Sequence, residues 1–132
     1  MGKDILVTGG AGYIGSHAVI SLLEKGFNPI IIDNFSRSSK KLFNYLFPSI
    51  TYYEGNVDDE CLLSRIFFNH KIKAVLHFAA YAYVGESNSK PLIYYTNNSR
   101  STLNLLNFII QNCSATDIPH FVFSSTCSVY GN

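Results

Sequence analysis

The stretch Thr8-Gly9-Gly10-Ala11-Gly12-Tyr13-Ile14-Gly15-Ser16-His17 restricts this chain more than any other. It follows the apolar run Ile5-Leu6-Val7. It also opens a segment in which Ile14, Ala18 and Leu22 recur four apart, flanked by Val19 and Leu23. The turn therefore joins a buried strand to an amphipathic helix. Gly9 or Gly10 lets the chain swing sharply off the strand, Gly12 removes a Cβ from the path of an approaching ligand, and Gly15 lets the helix settle close on the strand. Peptide N–H groups at the helix start and the helix dipole attract anions, so the turn reads as a cradle for a dinucleotide pyrophosphate.

Glycines at such spacing also occur in turns that bind nothing, so the context decides. A second apolar run, Ile30-Ile31-Ile32, ends in Asp33, 18 residues beyond Gly15. That is the spacing at which an acidic side chain meets the adenosine ribose in dinucleotide-binding folds. A carboxylate there accepts from ribose hydroxyls and repels a 2′-phosphate, which favours NAD over NADP. Arg37, in the loop 34–39, opposes this, because a guanidinium pairs well with phosphate. The other reading of Asp33 is a turn or cap residue.

With 132 residues, one domain with a substantial core is expected, but not a second lobe for a substrate. A net charge of +1 with 14% charged residues offers no basic field to nucleic acid, so nucleic acid is not an expected partner. Cys61, Cys113 and Cys127 lack metal-type spacing and no charged-then-apolar leader precedes the first strand, which points to a reducing, cytoplasmic setting. No apolar run approaches the length of a membrane span, so no membrane partner is expected.

Further along, a helix is expected over 13–25 with Gly26 as its stop, a short helix over 40–47 ended by Pro48, and a third strand over 50–53. Asp58 reads as the N-cap of the next helix, with Asp59 and Glu60 in its first turn and Lys71 and Lys73 past its end. Residues 74–80 read as a fourth strand, apolar on both faces, in which His77 is a hydrogen-bonded core side chain. A loop over 81–90 leads to Pro91 and a long helix to about Cys113. Leu103, Leu106 and Ile110 form one stripe of that helix and Leu105, Phe108 and Ile109 another, so two faces are expected to be covered, one by the sheet and one by a partner. Strand five, 120–123, delivers Ser124-Ser125-Thr126. The alternating pattern predicts an α/β, Rossmann-type doubly wound parallel sheet of order 3-2-1-4-5, with its site between strands one and four.

Together these residues resemble the extended short-chain dehydrogenase/reductase superfamily, and within it nucleotide-sugar 4-epimerases of the UDP-glucose (UDP-galactose) type. The resemblance is carried by the glycine turn, Asp33-Asn34, His77-Phe78-Ala79-Ala80, Val84-Gly85-Glu86-Ser87, Tyr94-Tyr95 with Asn97-Asn98, and Phe123-Ser124-Ser125-Thr126 with Val129-Tyr130-Gly131. It implies NAD as cofactor. Gly9, Gly12, Tyr13, Ile14 and Gly15 would lie at its pyrophosphate, Asp33 and Asn34 at the adenosine ribose with Ser38 nearby, and Asn56 and Val57 by the adenine. Phe78, Ala79 and Ala80 would line the cofactor channel together with Ala82 and Ser124, and Asn97 would contact it from the long helix. Thr126 matches the Ser/Thr that hydrogen-bonds the sugar 4-oxygen and is the candidate catalytic residue.

The resemblance further implies a UDP-hexose or UDP-pentose substrate, a 4-keto intermediate and a homodimer in the intact protein. Three departures stand out. Asn56 replaces the usual Asp, which predicts weaker binding of the adenine amino group. Ala82 stands where galactose-pathway members often carry Lys, and residues 81–87 resemble the stretch in pentose-type UDP-arabinose/UDP-xylose 4-epimerases and some bacterial relatives. The family's Tyr-x-x-x-Lys pair and its C-terminal substrate lobe lie beyond residue 132, so a fragment or a truncated reading frame is expected, inactive by itself. A nucleotide-sugar dehydratase and a non-catalytic NAD-binding module remain as alternatives.

Overall fold

The computed structural model describes residues 2–131, without the side chains of Cys127 and Ser128. Five strands form one parallel sheet: β1 (Asp4–Thr8), β2 (Asn28–Asp33), β3 (Tyr52–Glu54), β4 (Ile72–His77) and β5 (His120–Phe123). Their order is β3-β2-β1-β4-β5, as expected from the alternation of strands and helices. β1 is central, pairing Thr8 with Ile32 on one side and with His77 on the other. The chain leaves β1 towards β2 and later returns to β4 on its opposite flank, so the loops diverge at the carboxyl end of β1 and open a crevice there.

The strands are apolar in runs because both faces of the sheet are covered. Leu6, Ile30, Ile32 and Val75 pack with Leu63, Ile66, Leu105, Phe108 and Ile109 on one face. Ile5, Val7 and Ile31 pack with Val19, Phe43 and Phe47 on the other. Ile30, Ile31 and Ile32 are all fully buried. The first face belongs to α3 (Glu60–Asn69) and α6 (Ser101–Asn112), the second to α1 (Tyr13–Glu24) and α2 (Lys40–Leu46).

Several element boundaries differ from the expected ones, each for a local reason. β2 begins at Asn28, with Pro29 paired to Ile5. β3 is Tyr52–Glu54, although Thr51 already gives its carbonyl to Ile31 N–H. The N-cap of α3 is Asp59, which accepts from Leu62 N–H at 3.0 Å, and not Asp58, whose carboxylate takes the Ser101 hydroxyl at 2.9 Å. Lys73 lies within β4 and pairs with Asp117 at 3.6 Å. β4 ends at His77, so residues 78–80 are loop: Phe78 N–H makes the last ladder bond, to Thr8 O, and Ala79 N–H turns to the Thr8 hydroxyl.

Within the expected loop 81–90 lies a short helix, α4 (Val84–Ser89), whose Ser87 and Ser89 hydroxyls bond carbonyls three residues back. The long helix is a rod of three parts: α5 (Pro91–Tyr94), a π-helical stretch (Tyr95–Arg100) and α6. Of its two stripes, Leu105, Phe108 and Ile109 are buried against the sheet, whereas in the other Leu106 is half-buried and Leu103 and Ile110 are exposed. No helix among the described residues is long and apolar enough to cross a membrane.

Candidate dinucleotide site

The turn after β1 is built by backbone contact. Gly9 adopts φ +67°, where L side chains are strained, and it lies against the backbone of Ala79. A Cβ on Gly15 would stand 2.2 Å from Gly9 O, so Gly15 is required for contact between helix and turn rather than between helix and strand. Gly12 is the N-cap of α1, no side chain caps that helix, and Gly12 faces a cavity. The Tyr13 and Ile14 side chains project from the first turn and are exposed.

That cavity, about 470 Å³, occupies the carboxyl edge of the sheet. Gly9 and Gly12 line it at the turn, and Asp33, Asn34, Arg37 and Ser38 line it on the β2 side, with Asn56 and Val57 beyond β3. Phe78, Ala79, Ala80 and Tyr81 follow from β4, and Leu92, Thr96 and Asn97 from the long helix. Most of the sequence-predicted cofactor residues are thus brought together. Tyr13, Ile14 and Gly15 sit just behind the turn, and Ala82 is exposed outside the lining. Ser124 and Thr126 lie past β5, also outside it. Ser124 N–H bonds His77 O, and Thr126 O accepts from Val129 N–H within a 3-10 turn.

Asp33 has duties in the fold as well as a place in the cavity. One carboxylate oxygen accepts from Ala11 N–H at 3.0 Å; the other accepts from Phe35 N–H at 2.8 Å and from the Ser38 hydroxyl at 3.2 Å. It thereby ties the glycine turn to the loop after β2. Phe35, at φ 53°, is held in a disfavoured conformation by this bond and by edge contacts with Phe43 and Tyr52. Asn56 Oδ1 accepts from the Asn34 amide at 2.7 Å.

His77 is a core side chain, as expected, and its two bonds fix its tautomer. The Thr102 hydroxyl donates to Asn98 O at 2.6 Å and so accepts from His77 Nε2–H at 2.8 Å. His77 Nδ1 is then the acceptor for the Thr8 hydroxyl, also at 2.8 Å, and that hydroxyl oxygen takes Ala79 N–H at 3.2 Å. Burial lowers the imidazole pKa from 6.5 to about 4.

Three features of the site carried no signal in residue periodicity. The π-helical stretch sets Thr96 and Asn97 on the cavity and turns Asn98 to Tyr81, whose N–H and carbonyl it bonds, both at 2.8 Å. Glu86 of α4 pairs with Arg37, lies 3.6 Å from Lys90 Nζ and accepts from the Tyr94 hydroxyl at 2.8 Å. That phenol, then burial-opposed pairing with Arg37, holds the Glu86 carboxyl below its ordinary range, whereas burial pushes the Tyr94 phenol up. Asp58 reaches the cavity wall because Ser101, not a helix start, is its partner.

This geometry has close counterparts. Residues 6–132 match the family model described as GDP-mannose 4,6 dehydratase. The UDP-glucose 4-epimerase of Klebsiella pneumoniae is 39% identical over 132 residues, spanning 97% of this chain and 92% of that protein. The chain belongs to this family. The UDP-glucose 4-epimerase of Erwinia amylovora is 44% identical across 97% of the chain, and the solved UDP-glucose 4-epimerase of Bifidobacterium longum, in complex with NAD+ and UDP, superposes with a TM-score of 0.89 at 40% identity across 98% of the chain. The chain spans 38% of the length of each of these two.

In this member of the family the buried imidazole couples stability to pH. Between about pH 6.5 and 4 the unfolded chain binds a proton at His77 that the folded chain refuses, so stability is fully present above 6.5 and is lost as pH falls towards 4, by about 3 kcal/mol in total. Urea unfolding of wild type and His77→Gln across this range should show the steeper loss in wild type. Proton NMR of the ring should place its midpoint near 4; a midpoint near 6.5 would show that burial does not hold the ring neutral.

Proposed function

We propose that the cavity binds NAD and that the chain is the cofactor-binding part of a nucleotide-sugar 4-epimerase. The observation that carries this is one crevice in which a glycine turn with an uncapped helix start stands beside the Asp33 carboxylate, bonded to it through Ala11 N–H. The residues fit the group. The helix start favours a pyrophosphate, Asp33 keeps lone pairs for ribose hydroxyls beyond those engaged by the loop, and Phe78, Ala79 and Ala80 leave a flat wall for a planar ring. The Bifidobacterium longum structure, with NAD+ and UDP, supports the same reading.

When bound, NAD would supply reversible hydride acceptance from the sugar C4. Asp33 orients the adenosine end, the glycine turn fixes the pyrophosphate, Asn97 contacts the cofactor from the long helix, and Thr126 hydrogen-bonds the sugar 4-oxygen. Neither the Asn97 amide nor the Thr126 hydroxyl is a proton acceptor at neutral pH, and His77 has both ring nitrogens engaged. The substrate is a UDP-hexose, or a UDP-pentose given Ala82. Dehydration of a nucleotide sugar is the second reading, favoured by the description of the matching family model. The exposed Leu103 and Ile110 support self-association through the long helix.

Calorimetric titration of the chain should show NAD binding more tightly than NADP, and Asp33→Asn should weaken NAD by about tenfold through loss of charge-assisted hydrogen bonds. Absence of NAD binding would overturn the cofactor reading. Incubated with NAD and UDP-glucose or UDP-xylose, the chain should yield no 4-epimer above a buffer control; turnover would mean that a base is present among these residues. Sizing with light scattering at high micromolar concentration should give dimers or larger species, and a monodisperse monomer would contradict self-association.

A further inference from the structure

Arg37 stands in the loop after β2, beside Asp33, Asn34 and Ser38, and among the described residues lining the cavity it is the only lysine or arginine. A guanidinium at that place, next to the ribose end, is suited to pair with a 2′-phosphate through two parallel N–H bonds. Here it is turned to other partners. Its Nη2 pairs with Glu86 of α4, and its plane lies over two aromatic rings, with Cζ 4.8 Å from the centre of Tyr81 and 5.3 Å from that of Tyr83. Glu86 is itself anchored, since the Tyr94 hydroxyl donates to the same oxygen at 2.8 Å and Lys90 Nζ stands 3.6 Å from the other.

We propose that Glu86 is a determinant of cofactor choice: by holding Arg37 against Tyr81 and Tyr83 it withholds that guanidinium from the adenosine 2′ position and leaves Asp33 to repel a phosphate there. The proposal rests on the NAD reading of the cavity. Its physical content is a competition for one cation. A dianionic 2′-phosphate must draw Arg37 from a carboxylate and from cation–π contacts, each of which is lost on release, and it must also approach Asp33. Removing the Glu86 charge shifts that competition, whereas removing Arg37 leaves the wild-type balance nearly as it is, because the tethered side chain contributes little to phosphate binding.

The test is calorimetric titration of NAD and NADP, at one low ionic strength to limit screening, for wild type, Glu86→Gln, Arg37→Ala and the double variant. Glutamine keeps an acceptor for the Tyr94 hydroxyl and removes the charge. The expected result is that Glu86→Gln lowers the ratio of Kd for NADP to Kd for NAD by about tenfold, with NAD affinity near wild type, through one new charged phosphate contact. Arg37→Ala should leave the wild-type ratio within about twofold, and the double variant should return to it, since the gain passes through Arg37. An unchanged ratio in Glu86→Gln overturns the proposal, as does a gain that survives in the double variant. So does a rise in the ratio with Arg37→Ala, which would mean that Arg37 already reaches the phosphate. If circular dichroism shows Glu86→Gln unfolded, the Arg37→Ala ratio decides alone: unchanged supports the proposal, raised overturns it. Wild type that binds neither dinucleotide overturns the cofactor reading itself.

Discussion

The carboxyl edge of the sheet is held in one arrangement by a chain of hydrogen bonds with a single polarity. Asn98 O can only accept, so the Thr102 hydroxyl points to it; His77 must then donate through Nε2 and accept through Nδ1, and the Thr8 hydroxyl must donate in turn. At the far end Ala79 N–H can only donate, which closes the chain without a conflict. One imidazole thus ties β1, β4 and the long helix together at the place where the loops diverge. Burial keeps the ring neutral, and a second ring proton would take from the Thr8 hydroxyl the acceptor it uses here. Low dielectric strengthens each bond and makes any unpaired member costly, so the edge resists local rearrangement.

Under the NAD reading, the polar groups of the cavity on that fixed edge are shared between fold and ligand. Asp33 is the clearest case, because the carboxylate proposed to meet the ribose also holds Ala11 and Phe35 by their N–H groups. A charged acceptor serves both ends without reorganisation, as its two oxygens offer more lone pairs than the loop uses. Asn98 divides its labour differently: its side chain closes on both backbone groups of Tyr81 while its carbonyl ends the hydrogen-bonded chain from His77. The π-helical stretch makes this possible, since one residue added to the turn rotates Asn97 and Asn98 relative to α6.

The sheet order, the buried isoleucines, the glycine turn, Asp33 and the core role of His77 were legible in the sequence because each follows from a repeated or strongly constrained signal. Three isoleucines in a row fit only a strand covered on both faces, and a glycine at positive φ has few substitutes. What stayed hidden depends on partners far away in the chain. Asp58 and Asp59 are equally good caps in isolation, and only the Ser101 hydroxyl, 43 residues on, takes Asp58 away. Helix α4 has no apolar periodicity to announce it; its anchor is Glu86, whose partners Tyr94 and Arg37 lie eight residues later and 49 residues earlier. The π-helical turns at Tyr95–Arg100 precede both apolar stripes, which begin at Leu103 within α6, so the periodicity of those stripes cannot reveal them.

Asn56 shows how one such partner changes the meaning of a residue. Read alone, an amide in place of a carboxylate weakens acceptance from an adenine amino group. In the structure its oxygen is already bonded by the Asn34 amide, and Asn34 Oδ1 in turn accepts from Ser36 N–H, so the two amides form a small relay along the floor of the cavity. A carboxylate at position 56 would still accept from Asn34, but it would add a further negative charge to a cavity wall that already carries Asp33 and Asp58. The amide avoids that repulsion and keeps one oxygen lone pair for a ligand donor, while its own N–H₂ group offers a donor that a carboxylate lacks. Under the NAD reading, position 56 therefore exchanges strength of acceptance for the ability to meet either a donor or an acceptor on the base.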